Sequence, residues 1–293
     1  MDAKNRKTGG LVELVTRKSM VIRPSGRSTD FIAPSFGYGC LFNCTYCYMK
    51  RHKPEGLTVA TNTMDILTEI NSHAFFATVD KPNQTGDYIT YDISCNEDFA
   101  LHAKYHDWKT IFKFFRDHPL AMGSFATKYV NPKLLERTPS FKMRIRFSLM
   151  PQKYADLLEP GTSKIIDRIR AIDLFARKGW DVHINFSPVI VTEGWEAEYA
   201  ALFQLVDRNV MLQHDVKAEV IFLTHNKDKH EYNIKHGILG EELLWRPDIQ
   251  EDKVSQYGGE NIRYKSGLKE DYIRSFRSIH DLIIPWNTIR YIF

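Results

Sequence analysis

The chain predicts an α/β fold, a partial (open) TIM-type (β/α)6 barrel followed by a C-terminal hairpin and loop extension. Strand-like and helix-like segments alternate over most of its length, the pattern of successive β–α units around a parallel sheet. About six such units can be counted, too few for a closed eight-unit barrel and enough for an open one. No internal repeat or low-complexity linker divides the 293 residues. The simplest organisation is therefore one domain over residues 1–293, with a core over about 31–224 and a substrate-facing extension over about 225–293.

Each unit has its own local signal. Phe31 to Phe36 is the first expected strand and runs straight into a cysteine loop. Tyr88 to Ser94 alternates and is rich in β-formers. From Phe99 to Arg116 the apolar residues Leu101, Tyr105, Trp108, Ile111, Phe112 and Phe115 recur at helical spacing, and Asp117-His118-Pro119 ends the run. Met122 to Thr127 is a third strand, and Asn131-Pro132 opens a short helix with an N-cap and a first-turn proline. Met143 to Leu149 alternates in period two, a fourth strand. Ser163 to Lys178 is an amphipathic helix closed by Gly179. Val182 to Val191 and Ala218 to Thr224 give two more strands, with a helix near Trp195 to Val206 between them.

Residues 225 to 265 break this rhythm. The stretch is polar and turn-rich (His225-Asn226-Lys227-Asp228, Gly258-Gly259) and has no clean period. A long irregular segment in a compact domain is usually functional or disordered. Helical spacing resumes over Asp271 to Leu282, and Arg290 to Phe293 reads as a final short strand.

Hydrophobic residues make up 43% and charged residues 26%, as in a globular protein with a sizeable core. Met1 to Gly10 is polar and lacks the apolar core of a signal peptide. No apolar run approaches the ~18 residues that span a bilayer. A cytoplasmic protein with no membrane partner is expected. A net charge of +4 does not announce a nucleic-acid binder. Basic residues do cluster locally: Lys128, Lys133, Arg137, Lys142, Arg144 and Arg146 fall in one stretch with a single acid, Glu136. Arg263, Lys265, Lys269, Arg274 and Arg277 form a milder second stretch. Either can be a solvated face.

The sharpest feature is Cys40-x3-Cys44-x2-Cys47 within Gly37 to Tyr48. Three thiolates on one short loop can hold three irons of a [4Fe–4S] cluster and leave the fourth iron open for chemistry. A structural zinc site prefers four ligands, and His52 is the nearest candidate for a fourth. A disulfide framework fits poorly with 4 Cys in 293 residues and no secretory signal. In parallel β/α architectures active-site groups collect at the C-terminal ends of strands. Cys95, the one cysteine outside the loop, falls at such an end in Ser94-Cys95-Asn96-Glu97-Asp98. Thr127-Lys128 and Ser148 lie at others. A lone cysteine is otherwise a small buried hydrophobe.

The cysteine spacing resembles that of the radical S-adenosylmethionine (SAM) enzymes. Further motifs narrow the likeness, from about Phe31 to Arg277, to the spore photoproduct lyase family. They are Tyr46 and Tyr48 flanking Cys47, Cys95 with Asp98, Thr127-Lys128, Arg146-Phe147-Ser148, and Arg263-Tyr264-Lys265-Ser266-Gly267. The resemblance implies a [4Fe–4S] cluster on Cys40, Cys44 and Cys47, with SAM on the open iron. It also implies a 5′-deoxyadenosyl radical that reverses a thymine dimer in damaged DNA. Cys95 would match the hydrogen donor to the product radical, and Tyr46 and Tyr48 the relay back toward SAM. Lys128 and Ser148 would contact SAM, and Glu97 would accept from its amino group where the spore enzymes carry serine. Arg263, Tyr264 and Lys265 would match a hairpin that enters DNA, the tyrosine stacking where a lesion is flipped out. A reductant such as flavodoxin or ferredoxin is implied as partner. Two other readings remain open at this point: the same initiation chemistry on another substrate, or a non-enzymatic Fe–S protein that binds nucleic acid.

Overall fold

The structure, a computed structural model, describes residues 6–8, 11–25, 28–76, 86–213, 216–254 and 259–293. In chain order the first elements are β1 (Arg6–Thr8), β2 (Val12–Val15), β3 (Arg23–Pro24), β4 (Phe31–Ile32), β5 (Gly37–Gly39), α1 (Met49–His52), β6 (Leu57–Ala60) and α2 (Thr63–Phe76). There follow β7 (Ile89–Asp92), α3 (Phe99–His102), α4 (Trp108–Asp117), β8 (Ala121–Thr127), β9 (Met143–Leu149), α5 (Gln152–Leu158), α6 (Ile165–Ala176) and β10 (Asp181–Val189). The chain closes with α7 (Trp195–Asn209), β11 (Lys217–Phe222), β12 (Thr224–Asn226), α8 (Lys227–Lys235), α9 (Glu241–Leu244), β13 (Gln250–Val254), β14 (Glu260–Tyr264), α10 (Ser266–Ile283) and β15 (Thr288–Ile292). The strands form sheets of four (β1-β2-β6-β5), eight (β15-β11-β10-β9-β8-β7-β4-β3) and three (β12-β14-β13).

Two compact units are distinguished. The first comprises Met1–Leu41, Lys53–Phe147 and Leu174–His183. Within it β4, β7, β8 and β9 pair in parallel, as alternating β–α units require. The strand expected from Phe31 to Phe36 is shorter: only Phe31–Ile32 joins the parallel sheet, and beyond its expected end Gly37–Gly39 pairs antiparallel with β6 in the smaller sheet. The helix expected from Phe99 to Arg116 is also broken, by a 3-10 turn at Ala103–Tyr105 and by Asp107, which caps α4 through the Thr110 N–H. α4 buries Trp108, Ile111, Phe112 and Phe115. Phe112 packs with Phe99, Phe125 and Trp180 in an aromatic core.

β9 has the expected bounds but not the expected exposure, since all seven residues are buried. Arg144 pairs with Asp181 at 2.7 Å and Arg146 with Asp92 at 2.7 Å. Lys142 donates to the His118 carbonyl at 2.8 Å and lies 3.4 Å from the Tyr88 ring centroid. Half of the first basic stretch is thus internal, and these three cations are not a phosphate-binding face.

The second unit comprises Phe42–His52, Ser148–Asp173 and Ile184–Phe293. β11 and β15 pair in parallel, so the expected final strand ties the C-terminal residues into a sheet. Phe186, Phe203, Phe222 and Phe276 pack edge-to-face between β10, β11, α7 and α10. The stretch from 225 to 265, read as irregular, holds three strands and two helices. Its Gly258 lies outside the described residues. Periodicity missed these elements because their buried groups are polar: His225, Asn233, Glu241 and Gln250 are all within the interior.

Candidate active site

In the first unit, β5 delivers Cys40, which is buried and not in a disulfide. Gly39 has φ +102°, and a Cβ there would lie 2.6 Å from the Gly56 carbonyl oxygen, so the turn into the loop requires glycine. The next amide, Leu41 N–H, donates to His102 Nε2 at 3.2 Å. That bond leaves the His102 proton on Nδ1, which donates to Glu97 Oε2 at 2.9 Å. His106 Nε2 donates to the same oxygen at 2.8 Å. Burial would raise the Glu97 carboxyl, but the charge of His106 and the hydrogen bonds from His102 and His106 outweigh it and hold Glu97 down at about 2. Its other oxygen, Oε1, is buried with no protein donor. Beneath the carboxylate lies Gly37, where a Cβ would come within 2.4 Å of the Glu97 oxygens.

The neighbouring Asp98 organises the strand ends. Its carboxylate caps α3 at Leu101 N–H and accepts from Thr127 Oγ1 (2.7 Å) and from the Lys128 backbone N–H (2.8 Å). Lys128 is half-buried there. Cys95 is exposed on the turn between β7 and α3 and is not in a disulfide.

In the second unit, Cys44 is buried and Cys47 half-buried, neither in a disulfide. The backbone between them is gripped from two sides: Thr45 N–H donates to the Leu158 carbonyl at 2.9 Å, and Asn233 Nδ2 donates to the Thr45 carbonyl at 3.0 Å. Tyr46 donates its phenol proton to Glu159. Burial first, then the Glu159 and Cys44 charges, push the Tyr46 phenol well above its ordinary range. Glu159 is held at 2.8 Å by Arg168, both side chains fully buried. Tyr48 is exposed, edge-on to His52. Ser148 is buried, and its Oγ accepts from Asn185 at 3.3 Å.

The hairpin expected around Arg263-Tyr264-Lys265 is formed by β13 and β14. Tyr264, however, is 1% exposed, accepts from Val191 N–H at 2.8 Å and is packed edge-on to Phe222 and Tyr272. Its ring has no free face for a base, which corrects the stacking role; period-two alternation along β14 turns this residue inward. Arg263 pairs with Glu251 at 3.0 Å, and exposed Lys265 reaches the Asp248 carbonyl at 2.8 Å.

Among the described residues no three His, Cys, Asp or Glu side chains are arranged to hold a single metal ion. A cubane differs, because each thiolate bonds a separate iron and the sulfurs need not meet at one point. Cys40, Cys44 and Cys47, none of them in a disulfide, fit that donor set. The unpartnered Glu97 Oε1 fits an ammonium donor. Sequence reasoning missed His102, His106, Glu159, Arg168, Asn233 and Glu241. Only the His102/His106 pair, four apart and just after Glu97, left a readable signal. Among the described residues no helix is long and apolar enough to cross a membrane.

Comparison with known proteins adds the following. The family model described as spore photoproduct lyase matches residues 3–293. The spore photoproduct lyase of Bacillus subtilis (strain 168) is 28% identical over 210 residues, 70% of this chain and 58% of that protein. That of Geobacillus sp. (strain Y412MC61) is 24% identical over 212 residues, 71% of this chain and 60% of that protein. The matched region thus spans less than two thirds of either relative. A solved spore photoproduct lyase complexed with dinucleoside spore photoproduct superposes with TM-score 0.85 at 22% identity, covering 96% of this chain and 82% of that one. A double mutant with bound AdoMet and dinucleoside spore photoproduct matches with the same TM-score at 21% identity, again over 96% and 82%. The likeness bears out the partial, open barrel class.

Proposed function

The chain belongs to the spore photoproduct lyase family, and from that premise we propose that it is a radical SAM carbon–carbon lyase that reverses a thymine-dimer lesion in DNA. The observation that carries this reading is the Cys40-x3-Cys44-x2-Cys47 triplet, none of it in a disulfide, in a chain of this family. A [4Fe–4S] cluster on these thiolates, with SAM on its open iron, would supply a 5′-deoxyadenosyl radical.

The residues of this chain would do the rest. Glu97 Oε1, buried and unpartnered, would accept from the SAM ammonium, while His102 and His106 keep the carboxylate ionised and aimed. Lys128, anchored through its backbone to Asp98, would pair with the SAM carboxylate, and Ser148 would add a polar contact. Cys95 would give its S–H hydrogen to the product carbon radical, since that bond is weaker than the C–H bond formed. Tyr46 and Tyr48 would then return a hydrogen atom to the resulting thiyl. For Tyr46, whose phenol O–H is bonded to Glu159, the transfer would be split, the proton going to Glu159 and the electron toward the thiyl, and the thiolate so formed would take its proton from water. Arg263 and Lys265, at the base of the hairpin, would hold phosphates of damaged DNA. We read the chain as one functional domain over residues 1–293, cytoplasmic, with the cluster reduced by a flavodoxin or ferredoxin.

The test is anaerobic reconstitution with iron and sulfide, then reductant and SAM, with and without dinucleotide spore photoproduct. Formation of 5′-deoxyadenosine together with thymidylyl-thymidine is expected, and absence of deoxyadenosine overturns the enzyme reading. Cys95→Ala should still cleave SAM but give altered or trapped products; an unchanged product removes Cys95 from the mechanism. The burial of Tyr264 favours a second reading, the same radical initiation on another substrate. Deoxyadenosine formed without dimer turnover selects it.

A further inference from the structure

α8 presents two side chains one helical turn apart on the same face, Lys229 and Asn233. Asn233 is fully buried and donates to the Thr45 carbonyl, between Cys44 and Cys47. It is itself held by Glu241, whose other oxygen takes His225 at 2.9 Å and His230 at 2.6 Å. Helices α8 and α1, the latter following Cys47 directly, pack on each other. Lys229 therefore stands beside the Cys44–Cys47 arm; burial pushes its ammonium down from the ordinary lysine range, and the charges of Cys47, Glu241 and Cys44 oppose that shift while Lys50 adds to it.

Lys229 is only 5% exposed, yet among the described residues no carboxylate lies within ion-pair distance of its ammonium. Its nearest charged-group contact is the Tyr232 ring, 4.7 Å from Nζ. Glu241 is not available, since its oxygens are taken by two histidines and an asparagine. A buried cation without an acid is costly unless something anionic sits beside it. Lys50, also buried, adds to the repulsion. Three thiolates on a cubane carry net negative charge, and cluster potentials respond to net charge and hydrogen bonding around the sulfurs.

Resting on the reading above, we propose that Lys229 is a positioning residue for the cluster's charge: it lies against the Cys44–Cys47 edge and makes the reduced cluster easier to reach, while Asn233 fixes the backbone between those ligands. Both residues lie outside the motifs that identify the family.

The reconstituted full chain is compared with Lys229→Met, Lys229→Gln and Lys229→Arg by iron and sulfide content and by an EPR redox titration. Wild type and all three variants should load equally. In the two neutral variants the reduced-to-oxidised ratio at a fixed potential should fall about tenfold, a shift of about 59 mV for one electron, and arginine should restore it. Asn233→Ala should leave the potential nearly in place and lose iron to a chelator several-fold faster. Unshifted potentials in loaded Met and Gln variants overturn the assignment, as does a change confined to SAM affinity. If Met and Gln do not fold, an arginine variant whose potential falls about 59 mV below wild type overturns it equally. A wild type that assembles no cluster sinks the enzyme reading and this inference with it.

Discussion

Each unit of the chain buries a glutamate between two histidines, and the two clusters differ by one hydrogen bond. Glu97 receives His102 and His106 on a single oxygen and leaves Oε1 buried with no protein donor. Glu241 also receives two histidines on one oxygen, but its second oxygen is taken by Asn233. A saturated carboxylate is a strut, whereas one with a vacant, desolvated acceptor is costly until a ligand fills it. The lesson is that burial and low pKa alone do not mark a binding group; the unfilled acceptor does.

This contrast can be broken most decisively at Glu97. Glu97→Gln should weaken SAM binding to the reconstituted protein by about 10- to 100-fold, the worth of one charge-assisted hydrogen bond, as read by calorimetry at constant iron content. Unchanged affinity would reduce Glu97 to a strut like Glu241. Gly37→Ala pushes a methyl into the space of that carboxylate. It should lower SAM affinity to a similar or smaller degree without touching a cysteine, and normal affinity would mean the carboxylate has room to move.

Glu241→Gln should act on stability instead, costing about 1–3 kcal/mol and lowering the melting temperature of the apo-protein by on the order of 2–10 °C. A SAM defect larger than the stability defect would contradict the strut assignment. The smallest effect is in pH. Glu97 is depressed from 4.5 to about 2, so its stabilisation is complete above about 4.5 and lost as pH falls through about 2. The urea stability gap between wild type and Glu97→Gln should hold level down to about pH 5 and then shrink in acid. A gap that widens on acidification would reverse the sign assigned to the histidines.

Regular parts of the fold were legible because their signals are local. The alternation of Met143 to Leu149 marks β9 to the residue, and Gly179, at φ +79°, closes the chain after α6 as read. What alternation does not reveal is the partner of a polar residue. Arg144 and Arg146 read as one solvated edge, yet each meets an aspartate distant in sequence, Asp181 and Asp92. Tyr264 illustrates the same limit: the motif that names it is local, whereas its burial depends on Val191, Phe222 and Tyr272. The cysteine triplet stands out in the sequence because the cluster-binding role proposed for it depends on spacing along the chain. The residues that hold it, His102, Asn233 and Arg168, were not, because they approach from 60 to 190 positions away or act through another side chain.

Arg168 has a consequence for which exchanges the chain tolerates. Its Nε donates to the Ser163 carbonyl at 2.9 Å, Nη1 to the Ser148 carbonyl at 2.9 Å, and Nη2 to Glu159 and Thr162 at 2.8 and 2.6 Å. One flat, three-armed joint thereby fastens the end of a strand, the entrance to a helix and the acid beneath the tyrosine arm. Lysine carries the same charge but offers its protons from a single point and cannot span those directions. The substitution most often judged mild would here unfasten three parts of the molecule together.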